Sequence, residues 1–255
     1  MPAVLSKHSI IAGLLASSLS FAPHVLANTD DTGIEGDTAL SSEKPHIPEP
    51  MVFDLVRPLG VQQGEAEVNA LMLHNLSESH TEWAPEFEIG LLDDLALELE
   101  LPFENSRIEA YKVALQGTWG SLLNRRAIHG WQLIGYYNRE RHTYTFDALY
   151  ILGLRLGSRF SSLSMMGLRR DDLNADGAFV GLFNTSGFYD FSQQVTLGLE
   201  MNTEFHANGK WNYLLMPQLH YDFASHTTLQ LGAGVTKDHN RKPEFMTGLR
   251  LIYAF

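Results

Sequence analysis

The sequence predicts an all-β protein, a transmembrane antiparallel up-and-down β-barrel of about twelve strands. Three observations predict it. Residues 65–255 fall into segments of about ten residues with two-residue periodicity, separated by polar clusters. No apolar run beyond the N-terminus approaches the roughly 20 residues of a membrane helix, 148–154 being typical of those present. Aromatic residues gather near the segment ends, where rings with an apolar body and a polar tip settle at a lipid–water boundary.

The first observation is sharpest in "GLLDDLALELELPFE", residues 90–104. Leu95, Leu97, Leu99 and Leu101 alternate with Ala96, Glu98, Glu100 and Pro102. A helix would spread those glutamates around its whole circumference; a strand separates them onto one face. Either a soluble sheet with one wet face or a barrel with lipid outside and water inside accommodates such a strand.

The strands expected in order are 65–76, 82–92, 95–104, 108–119, 128–138, 143–157, 158–169, 177–185, 194–205, 210–223, 227–237 and 245–255. Their number is even, as single-chain bacterial barrels require. The turns at 93–94, 157–158 and 224–226 are short and suit the periplasmic side. Residues 169–177, 206–209 and 238–244 form the other set, polar and on the whole longer. Two expected periplasmic connections, 120–126 and 186–193, are longer than this scheme prefers, implying an inserted feature or a miscounted pair of strands.

The segment ends supply the aromatics: Trp83, Phe87, Phe103, Trp119, Trp131, Tyr136, Tyr137, Tyr144, Phe146, Phe160, Trp211, Tyr213, Tyr221, Phe223 and Phe245. Packing inside a soluble sandwich would instead turn half of them into a core. The chain ends "TGLRLIYAF", with Leu249, Leu251, Tyr253 and Phe255 on one face. This resembles the C-terminal strand of Gram-negative outer-membrane barrels, and the resemblance implies recognition by the barrel assembly machinery and a surround of outer-membrane lipid.

Ahead of the barrel, Lys7 and His8 precede an apolar stretch at 10–19, and "VLAN" offers a cut after Ala27, so residues 1–27 read as a secretory signal peptide. Residues 28–63 are expected to be an acidic, largely disordered periplasmic leader, and 64–255 the outer-membrane barrel. The chain contains no cysteine, so no disulfide holds the exported protein. Its formal charge of −12 argues against nucleic acid and against adhesion to anionic lipid surfaces.

Residues 86–104, "EFEIGLLDDLALELELPFE", further resemble paired strands of outer-membrane proteins grouped with the MetA pathway of phenol degradation. That resemblance implies a barrel passing small hydrophobic or aromatic compounds and supplies no catalytic residues.

Parity then assigns the lumen. Leu95, Leu97, Leu99, Leu101 and Phe103 face lipid, and Glu98 and Glu100 face inward opposite Glu86 and Glu88. The other charged groups placed inside are Lys112, Asp147, Arg155, Glu200, Glu204, His220, Asp222 and Arg250. Lys112 is expected to partner Glu98 and Glu100, and Arg250 to meet Glu65 or Glu67 where the last strand closes on the first. Unpaired carboxylates would attract cations to a narrow water-filled passage.

The function expected is a narrow channel or transporter for a small-molecule solute. The alternatives are a closed structural or interaction barrel and a lipid-modifying hydrolase using loop histidines such as His142, His206, His226 and His239 with nearby serines such as Ser225. No cofactor is expected. Nor is a metal site, since His220 and Asp222 on one face supply too few ligands.

Overall fold

A computed structural model describes residues 44–174 and 177–255. The expected signal peptide, 1–27, and the leader residues 28–43 lie outside these described residues. The strands are β1 (Ala66–Asn75), β2 (His80–Leu92), β3 (Leu95–Glu100), β4 (Phe103–Glu104), β5 (Arg107–Ile108), β6 (Ala110–Leu122), β7 (Ala127–Asn138), β8 (Thr143–Arg155), β9 (Phe160–Arg170), β10 (Phe179–Asp190), β11 (Val195–His206), β12 (Trp211–Ala224), β13 (Thr227–Lys237) and β14 (Glu244–Ala254).

Twelve of these form a closed antiparallel barrel in which each strand pairs with its neighbour and β14 returns to β1, with Glu67 opposite Ala254 and Met72 opposite Leu249. The two-residue strands β4 and β5 continue β3 and β6 beyond an interruption. Pro102, which has no N–H to give a ladder, interrupts the wall there, and its carbonyl accepts instead from Glu109 N at 2.9 Å.

One end of the barrel carries tight turns and the other longer loops. The two connections that looked too long for turns are short after all. β6 runs on to Leu122 and β10 to Asp190, leaving 123–126 and 191–194. In β6 the register shifts between Thr118 and Gly120, whose φ of 134° suits only glycine, so the extra residue flips the sequence period without ending the strand. In β10 the small polar pair Ser186 and Gly187 masks the apolar alternation, yet Ser186 and Phe188 both point inward and are buried.

The wall separates two environments. Leu99, Leu199 and Leu251 are about half exposed on the outside, as a hydrocarbon surround requires. Aromatic residues ring both ends of this apolar band, Phe160 against Tyr189 and Tyr221 against Phe223 at the turn end, Trp211 against Tyr213 and Tyr137 against Tyr144 at the loop end. Tyr136, placed among these girdle residues by the sequence, instead faces inward and is buried.

The interior is occupied. Residues 44–63, assigned by composition to a leader outside the barrel, lie inside it. They carry no regular secondary structure, and Ile47, Met51, Phe53, Leu55, Val56, Leu59 and Val61 are all buried. The reason is apolar area. An extended segment with so many large aliphatic groups gains by leaving water, and the inward faces of Ala96, Ile128, Ile134, Ile151, Leu163 and Met165 complete one apolar cluster with it.

The barrel wall is shaped for the segment. A Cβ on Gly90 would stand 2.2 Å from the carbonyl oxygen of Gln62, and one on Gly248 would stand 2.5 Å from Cε of Met51. Gly90 thus lets the backbone of the segment approach where a side chain would block it, and Gly248 leaves room for the Met51 side chain.

Candidate functional site

The lumen and the segment inside it form the site. The segment enters at the turn end, where Lys44 Nζ lies 2.5 Å from Asp94 Oδ1. It leaves at the same end: Asp94 N donates to Val61 O at 2.8 Å, Gly60 N to Thr118 Oγ1 at 2.8 Å and Gln63 N to Asp93 Oδ1 at 3.0 Å. Residues 44–63 therefore make a hairpin-like excursion into the bore, with its apex near residues 51–54.

A single carboxylate clamps that apex. Glu200, on β11 and fully buried, accepts from the backbone N–H groups of Met51 at 2.9 Å, Val52 at 3.1 Å and Phe53 at 2.7 Å. Asn202 Nδ2 donates to it at 2.7 Å, and Gln218 Nε2 donates as well. An irregular segment has no ladder of its own, and a charged acceptor with several donors is the arrangement that makes a buried carboxylate tolerable.

Three cations tie the rest. Lys112 on β6 holds Asp54 at 2.8 Å, Glu98 at 2.8 Å and also Glu100, while Tyr136 donates its hydroxyl to Asp54 at 2.8 Å. Arg57 of the inserted segment pairs with Glu67 and lies 3.9 Å from Glu88. Arg250 donates to Pro50 O at 3.1 Å and reaches Glu86 at 3.4 Å, Glu88 at 3.6 Å and Glu49 at 3.7 Å. The expected pairing of Arg250 with Glu65 or Glu67 is therefore replaced. Arg57, arriving from inside the lumen, takes Glu67, and Arg250 turns to β2. Eight carboxylates (Glu49, Asp54, Glu65, Glu67, Glu86, Glu88, Glu98 and Glu100) share these three cations, so the bore is acidic.

Oxygens of Glu86, Glu88 and Glu98 lie within 4.8 Å of one another, close enough to hold a metal ion. Arg250 and Lys112 already stand against these same carboxylates, so an ion would have to displace a side-chain cation.

The remaining residues assigned to the lumen by parity divide between the two ends. Asp147 and Glu204 near the loop end both bind Arg169, at 2.8 and 2.7 Å. Sequence reasoning left Arg169 out because it stands at a strand end beside a polar loop. Arg155 pairs with Asp190 at 2.5 Å at the turn end. Asp222 is exposed there and accepts from Thr228 Oγ1 at 2.5 Å. His220 is buried, its Nε2 2.7 Å from Gln218 Oε1 and its ring edge-on to Phe188. Among the loop histidines, His206 and His239 both turn to Asn212, and His142 Nδ1 lies 2.9 Å from the Tyr137 hydroxyl.

A cavity lies on each side of the segment. The one at the loop end has a volume of about 290 Å³ and is floored by Val52, Phe53 and Asp54. The one at the turn end, about 1150 Å³, is edged by Lys44, Arg125, Arg126, Arg155 and Arg159. In the turn-end lining six cations, Arg57 included, stand against the four carboxylates Glu49, Glu67, Asp190 and Asp222, whereas the loop-end lining is acidic.

Comparison with known proteins places this geometry. The HAEPLYID-like family model matches residues 43–121, from the inserted segment through most of β6. No curated protein matches the sequence. Among solved structures, the NanC porin superposes with a TM-score of 0.61 at 10% identity over 73% of this chain and 98% of that one. The KdgM porin gives 0.59 at 7% identity over 74% and 99%. The COG4313 outer membrane channel from Pseudomonas putida F1 gives 0.57 at 14% identity over 77% and 97%. At such identities the likeness is one of fold. The resemblance of residues 86–104 to the phenol-degradation group finds no support in these matches.

Proposed function

We propose that this chain is an outer-membrane channel for small molecules, with both termini periplasmic, and that residues 44–63 are its resident plug. The observation that carries the reading is the clamp of Glu200 on the apex of a segment that enters and leaves the barrel at one end. A filler that served stability alone could be supplied by inward side chains, as small barrels do. A threaded segment held at its apex can instead be withdrawn as a unit. The neighbouring folds named as porins and channels support the same class.

The exterior apolar band and the aromatic rings support the membrane location, and the outward Leu251, Tyr253 and Phe255 on the closing strand support assembly by the machinery that reads such strands. Aliphatic groups on the inward face of the loop-end cavity support a solute with apolar surface. A second reading, a barrel closed for good that works through its loops, draws on the number of contacts holding the segment.

One experiment separates the two. A variant lacking residues 46–61, checked by heat-modifiable gel mobility for a folded barrel, is reconstituted in planar bilayers beside the wild type. Stepwise conductance from the variant and a mostly closed wild type support the plugged channel; a folded but silent variant refutes it.

A further inference from the structure

The loop-end cavity is more than the upper half of a bore. Its floor is the apex of the inserted segment, with Val52 and Phe53 presenting apolar surface upward, and Leu71, Leu182, Leu214 and Met246 continue that surface on the walls. Inward aliphatic groups are the reverse of what a water-filled bore displays. With Asp54 on the floor the lining is acidic, nine carboxylates against Arg169, Arg241 and the imidazole of His80. Counting Lys112 and Arg250, which pair inside the lumen with Asp54, Glu100 and Glu86, still leaves the acids in excess.

Two atoms sharpen the chemistry. Asn202 spends its Nδ2 on Glu200, and its Oδ1 is buried with no hydrogen-bond partner. Asp238 Oδ1 is also buried without one. Both residues line the cavity, and both atoms are acceptors. A ligand that brings N–H donors into the cavity can satisfy both.

We infer that this cavity is a binding site for a small organic cation with an apolar body, of the class of a protonated aromatic amine. The body lies on Val52 and Phe53, and the ammonium group faces Asn202 and the carboxylate rim. An inorganic ion would have no use for the apolar floor, and an organic anion would meet the wrong field. Because Asn202 also bonds Glu200, the ligand touches the residue beside the clamp on the plug. The site deepens the channel reading by naming the class of solute, and its existence can be tested without any current.

The test is calorimetric titration of the full-length, detergent-solubilised protein with benzylammonium, and with benzyl alcohol, benzoate, benzyltrimethylammonium and calcium as comparators. Benzylammonium is expected to bind more tightly than the neutral alcohol and than its trimethyl analogue, which lacks donors, with no heat from benzoate. Each of Asp238→Asn and Glu244→Gln is expected to weaken it roughly threefold through the lost charge, and Phe53→Ala to weaken it through the lost floor. Equal binding of benzoate, saturable binding of calcium in place of the amine, or no benzylammonium heat from heat-modifiable protein would overturn the site. Amine binding with a silent plug-deletion variant would discard the channel and keep the site; conductance without amine binding would do the reverse.

Discussion

Replacing Glu200 by alanine removes the acceptor shared by the N–H groups of Met51, Val52 and Phe53. A buried N–H left without a partner costs about 1–3 kcal/mol; three that are freed together, partly rehydrated, cost roughly 4 kcal/mol. At about 1.4 kcal/mol per decade the population with a detached apex rises about a thousandfold. The seven buried apolar side chains of the segment contribute on the order of 10–20 kcal/mol by comparison, so the plug as a whole stays in the barrel. Glu200→Ala is therefore expected to give frequent brief openings in single-channel records, together with faster amide exchange confined to residues 51–53. Glu200→Gln, which keeps one carbonyl acceptor, should fall between it and the wild type. If Glu200→Ala exchanges at residues 51–53 as slowly as the wild type, the clamp does not hold the apex and the argument fails.

Three further outcomes follow from the same geometry. The chain has no cysteine, and a Cβ at Gly153 would lie 3.0 Å from Ile47 Cγ1, within disulfide reach; the pair Ile47→Cys and Gly153→Cys should lock the plug under oxidation and abolish openings until reductant is added, as bilayer recording will show. Lys112→Met strands Glu98, Glu100 and Asp54 without their shared cation and should cost about 3–5 kcal/mol, read as a lower temperature for loss of the compact gel band, with partial recovery when Glu98→Gln is added. Glu109, in the link between β5 and β6, has its carboxyl pushed up to about 7 by burial, with Glu104 adding to the effect and Arg141 opposing it. A raised carboxylate pKa gives stability that is complete below the ordinary value near 4.5 and lost as pH rises through 7. Thermal stability should accordingly decline between pH 5 and 8, and Glu109→Gln should flatten that decline; an unchanged slope in the variant would count against it.

The sequence by itself determined the wall. Strand positions, their number and the inward face, except at Tyr136 and Arg169, follow from a period of two, and that period is written by neighbours along the chain, so Glu98 and Glu100 were assigned inward from 90–104 alone. Where the local signal was interrupted, at the Thr118–Gly120 bulge and at Ser186–Gly187, the strand ends came out short, because the ladder to the next strand carries the chain across such breaks. What only the tertiary structure decided is that residues 44–63 lie inside. They have no period to read, and their partners are remote: Met51 meets Glu200 across 149 positions of sequence. Two weaker signals pointed that way, the density of aliphatic residues from Ile47 to Val61, too high for a solvated leader, and glycines such as Gly90 and Gly248 on the inward face. Neither specifies a contact, since a bore suited to a second backbone exists only after twelve strands have closed around it.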